Sequence, residues 1–284
     1  MKYLFSLLLV LVASTILAAA PMFVMQPLHG NNPELSNKVI SKASLAGMHV
    51  RDKWSLVEPQ RDGYSFVWLD QQIARAASFN KQVTLGIYAG TNSPSWLHVR
   101  KASGIPLPWD YRTVTAFTDM VKVLGARYNS NPSIYAVHMS SPATYESMEM
   151  HLPSSLEGDS RVFGVWKAAI DAYNQAFPSK QLVLDIAMIP DSRGATTKAV
   201  DEYARSVLGN RFTAIHCSLK ANTNVNAPHH REILRLHQEG VTIGFEMACP
   251  STDSVRFGGT FDQAISIGNA AGAAWYQVYQ ADVK

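Results

Sequence analysis

The sequence predicts a single (β/α)8 barrel, an α/β fold in which parallel strands form a ring inside a layer of helices. Three observations carry this prediction. Eight short apolar runs recur after residue 20, alternating with segments of helical periodicity. No glycine-rich phosphate fingerprint follows any run, which argues against an open nucleotide-binding sheet. No linker, repeat or low-complexity tract interrupts the chain, so residues 21–284 read as one domain.

The first run, Phe23 to Pro27, is the weakest, and the segment Asn31-Asn32-Pro33 after it opens a helix expected to reach Ser44. Leu45 to Arg51 is the second strand. A helix from Trp68 to Phe79 follows, with Leu69, Ile73, Ala76 and Ala77 on one face. Val83 to Tyr88 is the third strand, and residues 89–112 form a long loop of the kind that carries function. The next helix, Val114 to Arg127, aligns Phe117, Met120, Val121 and Leu124. Ile134 to Ser140 is the fourth strand. A second long loop, 141–160, precedes a helix carrying Val162, Trp166, Ala169, Ile170 and Tyr173 on one face.

Leu182 to Ala187 is strand five, and the helix after it aligns Val200, Tyr203, Ala204 and Val207 before Gly209 closes it. Phe212 to Cys217 is strand six, followed by a helix around His229 to His237. Val241 to Pro250 contains strand seven. A last helix, Phe261 to Ala271, leads to strand eight, Ala274 to Tyr279.

Composition narrows the function. With 47% hydrophobic and 17% charged residues the chain can bury a sizeable core and is not disordered. The net charge is +3 and Lys and Arg are scattered, so neither nucleic acid nor a membrane surface is an expected partner. Residues 1–20 read as a signal peptide: Lys2, an apolar core from Leu4 to Leu17, then Ala18-Ala19-Ala20. That core is too short for a comfortable membrane span, so the mature chain is expected to be secreted or periplasmic. The two cysteines, Cys217 and Cys249, fall just past consecutive strands. They are placed to pair in an oxidising compartment, although two separate buried thiols is the preferred reading.

Chemistry is expected at the carboxyl ends of the strands. Strand seven delivers Glu246 there, and an unpaired buried carboxylate is too expensive to be kept for packing. Cleavage of a glycosidic bond with retention needs two carboxyl groups, one to attack and one to protonate the leaving oxygen. The loop after strand four, Ser140-Ser-Pro-Ala-Thr-Tyr-Glu-Ser-Met-Glu-Met-His-Leu-Pro153, offers Glu146 and Glu149.

Several stretches resemble glycoside hydrolase clan A. They are Gly47-Met-His-Val-Arg-Asp-Lys-Trp-Ser-Leu-Val-Glu-Pro59 with Gly63-Tyr-Ser-Phe66, then Ser93-Pro-Ser-Trp96, and Trp275-Tyr-Gln-Val-Tyr279. The resemblance implies a retaining barrel enzyme with its acid/base after strand four and its nucleophile after strand seven. Glu246 is then the nucleophile. The chain departs from the clan at strand four, where Ser140-Ser141-Pro142 stands in place of Asn-Glu-Pro. Either the acid/base has moved to Glu149, the preferred position, or Glu146, or it has been lost.

Arg51, His138 and His216 are expected to position hydroxyls, and Trp54, Tyr88, Trp96, Trp109, Trp275 and Tyr279 to offer flat apolar faces to sugar rings. Zinc would need three or four ligands in tight geometry, and hydrogen bonding is the simpler use of His49, His138 and His216. No metal or cofactor is expected. The competing readings are a carbohydrate-binding barrel without chemistry and, behind it, a metal-dependent hydrolase built on the histidines.

Overall fold

A computed structural model of the protein describes residues 19–31, 34–153, 155–156, 160–187 and 194–284. The expected leader, 1–20, falls almost wholly outside the described residues.

The barrel is present. Its strands are β1 (Met22–Met25), β2 (Leu45–Lys53), β3 (Gln82–Tyr88), β4 (Ile134–Met139), β5 (Gln181–Ile186), β6 (Phe212–Leu219), β7 (Thr242–Met247) and β8 (Trp275–Val278). All pairings are parallel and follow chain order, and β1 closes the ring by pairing with both β2 and β8. The outer layer consists of α1 (Asn37–Ile40), α2 (Trp54–Val57), α3 (Val67–Ser78), α4 (Tyr111–Tyr128), α5 (Arg161–Ala176), α6 (Ala195–Leu208), α7 (Pro228–Gln238), α8 (Ser254–Phe257) and α9 (Phe261–Ala270).

The helix expected to run from Asn31 to Ser44 is reduced to the single turn α1. Residues 32–33 of that expectation lie outside the described residues. The chain before α1 is held out of helix by side chains of α3: Trp68 Nε1 donates to Glu34 Oε1 at 3.0 Å, and Gln72 also reaches that carboxylate. Helix α4 starts three residues earlier than the expected Val114, because Asp110 caps it by accepting from the Arg112 amide at 2.9 Å. The loop before it contains a two-stranded ribbon, Lys101–Ala102 against Ile105–Pro106, turned at Ser103 and Gly104.

Two apolar regions hold the fold. The larger lies between strands and helices, and takes the stripes of α4 and α5 with the buried faces of the strands. The smaller fills the amino-terminal half of the barrel with Phe23, Ala136, Val183, Ile215 and Trp275. Gly244 on β7 makes room for this plug, since a Cβ there would sit 2.8 Å from the Trp275 indole. Because side chains alternate along a strand, the next inward residues toward the carboxyl end are His138, Asp185, Cys217, Glu246 and Gln277. The floor of the site follows from the register of its plug.

Candidate active site

The deepest polar layer is a hydrogen-bonded chain across the barrel. His49 Nδ1 and Thr84 Oγ1 are 2.8 Å apart. Gln277 Nε2 donates to Thr84 Oγ1 at 3.5 Å and to His138 Nε2 at 2.9 Å. His138 therefore carries its proton on Nδ1 and donates it to Asp185 Oδ1 at 2.7 Å. Burial, followed by the neighbouring His138 and Arg51, holds the pKa of His49 well below its ordinary value.

Above this layer sit the charged groups. Arg51 donates to Tyr88 Oη at 2.9 Å and to the Gln26 carbonyl at 3.3 Å. Burial opposes its charge, yet Tyr88 and Glu246 beside it hold the guanidinium above its usual pKa. Glu246, half-buried at the end of β7, is pushed up to about 7 by burial. Arg51 and His138 pull it down, while the carboxylates of Asp185 and Glu149 push it further up. Tyr279, raised to about 12 by burial and by Glu246, borders the same group.

Glu149 arrives from the β4 loop rather than from a strand. Ser140 and Ser141, where the clan's Asn-Glu would fall, are fully buried and occupied with backbone. Ser140 Oγ donates to the Ile87 carbonyl, and Ser141 Oγ accepts from the Ala143 amide at 2.9 Å. The loop then crosses the mouth: the Thr91 amide donates to the Tyr145 carbonyl at 3.0 Å, and the Met150 amide to the Asp185 carbonyl at 3.3 Å. Met148 settles over Gly86 of β3, in space that any Cβ would fill. Met148, Met150 and Leu152 are all buried and anchor the segment, and Glu149 between them stays half-buried. Burial and the Asp185 charge push Glu149 up to about 7, and a hydrogen bond from the Cys217 thiol pulls it down. That thiol is itself held well above its ordinary pKa, by burial first and then by Asp185, Glu246 and Glu149. It therefore remains a donor.

The mouth thus brings together Arg51, Tyr88, His138, Glu149, Glu246 and Tyr279. Other expected site residues lie elsewhere. Glu146 is exposed on the outside of the loop. His216 points away from the mouth, because Ile215 faces the barrel interior and alternation turns its neighbour outward. Its ring lies 4.8 Å from that of His229 and 5.4 Å from that of His230 on α7, with Phe245 behind. Trp275 is in the plug and 1% exposed. Trp54 is fully buried, its Nε1 donating to Glu58 Oε2 at 2.8 Å and its ring against Phe117. Trp96 is tied through Nε1 to the Glu58 carbonyl at 2.8 Å, beside a separate groove. Trp109 is half-buried beneath the Arg161 guanidinium, 4.2 Å from its ring centre.

Cys217, Gln277 and Thr84 belong to the mouth although nothing in the sequence reading selected them. Counting in twos from an inward residue finds the first two, from Ile215 and from Trp275. Asp185 is paired with His138 and also borders both glutamates. Cys217 and Cys249 are free thiols. Among the described residues, no group of three or more His, Cys, Asp and Glu side chains is placed to hold a metal ion.

Comparison with known proteins agrees with this architecture. The glycoside hydrolase family 42 model, described as β-galactosidase, matches residues 34–105. The β-galactosidase BgaH of Haloferax lucentense is 29% identical over 97 residues, covering 28% of this chain and 14% of that protein. The chain thus spans only a small part of that relative's length, and the family-model match leaves out Glu149 and Glu246. Two solved structures share the whole barrel. A glycoside hydrolase superposes with a TM-score of 0.60 at 12% identity, covering 92% of this chain and 88% of the other. Xylanase 10B of Thermotoga petrophila does so with a TM-score of 0.57 at 14% identity, covering 92% and 82%. Likeness at that identity concerns the fold. In its barrel and in residues 34–105 the chain is similar to the glycoside hydrolases, in keeping with the clan A resemblance of its motifs.

Proposed function

We propose that the protein is a retaining glycoside hydrolase acting on an oligo- or polysaccharide, with Glu246 as nucleophile and Glu149 as acid/base. One observation carries the reading. Two glutamates from different elements enter one mouth, and each is pushed up to about 7 by burial and by neighbouring carboxylates. Carboxyl groups in that position exchange a proton near neutral pH, as general acid–base catalysis requires.

The environments assign the roles. Glu246 has the Arg51 guanidinium beside it, which favours its carboxylate form, the form that attacks. On Glu149 burial and the Asp185 charge favour the protonated form, and its side-chain neighbours are the Cys217 thiol and the His151 ring, 3.7 Å from Oε2, rather than a guanidinium, so the shared proton resides there. Glu149 gives this proton to the departing glycosidic oxygen as Glu246 bonds to the anomeric carbon. A water then bonds through its oxygen to the anomeric carbon as Glu149 takes its proton and the bond to Glu246 breaks. Gln26 Nε2, His49 Nε2, Arg51 Nε and Gln277 Oε1 are buried at these strand ends without a protein partner, and provide donors and an acceptor for sugar hydroxyls.

A panel of aryl glycosides tests this, β-galactosides first because of the matched relative's name. A 2-deoxy-2-fluoroglycoside should trap the intermediate, and peptide mass spectrometry should find the sugar on Glu246. Sugar on another residue, or product of inverted configuration, rules the mechanism out. The buried Ser140-Ser141 favours a second reading, a barrel that binds carbohydrate without cleaving it. Binding of a glycan with no turnover across the panel selects that reading. Export of the chain belongs to the same proposal, and the mass of the mature protein checks it by showing whether the leader has been removed.

A further inference from the structure

Outside the mouth lies a groove of about 410 Å³. It lies between the loop after α2 and the amino-terminal turns of α4. Arg51, Tyr88, Glu149 and Glu246 take no part in its lining. Its volume is within the range of small-ligand sites. Trp96 belongs to its wall, with Tyr64 and Tyr111.

Two of these aromatic residues are set by one residue, Glu58. Glu58 is 2% exposed, and its Oε2 accepts from Trp54 Nε1 at 2.8 Å, its Oε1 from the Asp62 amide at 3.1 Å. Its carbonyl accepts from Trp96 Nε1 at 2.8 Å, and the Tyr64 hydroxyl also bonds to its side chain. The polar tips of Trp96 and Tyr64 are thus satisfied from behind, and the rings are fixed before any ligand arrives. Tyr111 is different. It sits at the lip of the groove, 76% exposed, where a large ring gains nothing from the core.

Charge selects the class of ligand. The walls carry Arg61 and Arg112 but also Asp62 and Asp119. Arg112 is further matched by Asp110, at 2.8 Å and 3.1 Å. Glu58 also belongs to the lining, but its oxygens are taken by Trp54, the Asp62 amide and Tyr64. Asp62 lies 3.9 Å from Arg61 and Asp119 2.7 Å from Lys122, so each charge is already partnered and none is left free to select an anion or a cation. Aromatic faces with hydrogen-bonding groups of both polarities suit a neutral, polyhydroxylated ring.

We propose that this groove is a second carbohydrate site, holding a neutral oligosaccharide segment away from the reaction mouth. The choice of sugar over another neutral polyol rests on the glycosidase reading, whereas the groove itself does not. The site would retain a polymer while the mouth works on another part of it.

The full chain with Glu246→Gln, which removes turnover, is run in native gels containing soluble galactan, xylan or mixed-linkage β-glucan. At least one polysaccharide should slow its migration. Adding Tyr111→Ala should weaken that binding at least tenfold, and Thr115→Trp, which fills the groove from an exposed helix position, should do the same. Unchanged circular dichroism and melting would show both variants folded. Retardation that is equally strong in both variants overturns the proposal, and so does its absence with all three polysaccharides. Groove-dependent retardation, with no hydrolysis of any glycoside by the unmodified chain, upholds the second site and removes the glycosidase reading.

Discussion

The two halves of the barrel interior are built on the same strands with the same alternation, and their chemistry is opposite. The lower half is a dry plug of Phe23, Ala136, Val183, Ile215 and Trp275. Two residues further along those strands come His138, Asp185, Cys217 and Gln277, and Glu246 lies two beyond Gly244. The Trp275 ring centre is only 5.8 Å from that of His138, so the change from apolar to titratable occurs within one layer of side chains. The lower layer stabilises the fold. The upper layer holds carboxyl groups whose charge the fold itself disfavours, which is a condition for proton transfer and a drain on stability.

Separating the two halves by mutation gives the clearest tests. Glu246→Ala should lower kcat/KM on the best aryl glycoside by on the order of 10⁴-fold without lowering the melting temperature. Trp275→Ala should do the reverse, destabilising urea unfolding by about 3–5 kcal/mol through the cavity it leaves. Loss of activity there should follow only the unfolded fraction. Glu149→Gln should reduce kcat/KM by roughly 10²–10⁴-fold and remove the alkaline limb of its pH profile. Glu146→Gln, a few residues away on the exposed side, should change rates by less than about twofold if only the residue in the mouth carries the proton.

The pH dependence of stability gives a smaller and sharper test. Both glutamates have folded pKa values of about 7, above the unfolded value near 4.5. The folded state therefore binds more protons between these limits. The stability they contribute is fully present below about pH 4.5 and is lost as pH rises through 7. Glu246→Gln should accordingly match the unmodified protein at pH 4 and exceed it at pH 8, by on the order of 2 kcal/mol. Denaturant titrations at the two pH values measure the difference. A difference between the two proteins that is the same at pH 4 and pH 8 would mean that Glu246 ionises freely and is not held by the mouth.

His216 and Glu149 show where reading a sequence stops. In a strand buried on one face, polarity reveals which side chains point inward. In a barrel of parallel strands both faces are buried, one by the plug and one by the helices, so the two phases read alike. Phe212-Thr-Ala-Ile-His-Cys217 gives no sign that Ile215 and Cys217 share the interior while His216 faces α7. The glutamates of the β4 loop pose a different difficulty. Burial of Met148, Met150 and Leu152 carries Glu149 into the mouth, and those anchors are made by Gly86 and Asp185 on other strands.

What the sequence determined by itself is local: eight apolar runs too short for helices, amphipathic segments between them, and a carboxylate at the end of the seventh run. These follow from periodicity and length, which neighbouring residues define without reference to the rest of the chain. Only the tertiary structure decided the phase of each strand, the path of the β4 loop and the position of Trp96 in a groove of its own. Each of these depends on atoms far apart in sequence competing for the same enclosed space, and that competition is resolved only when the ring closes.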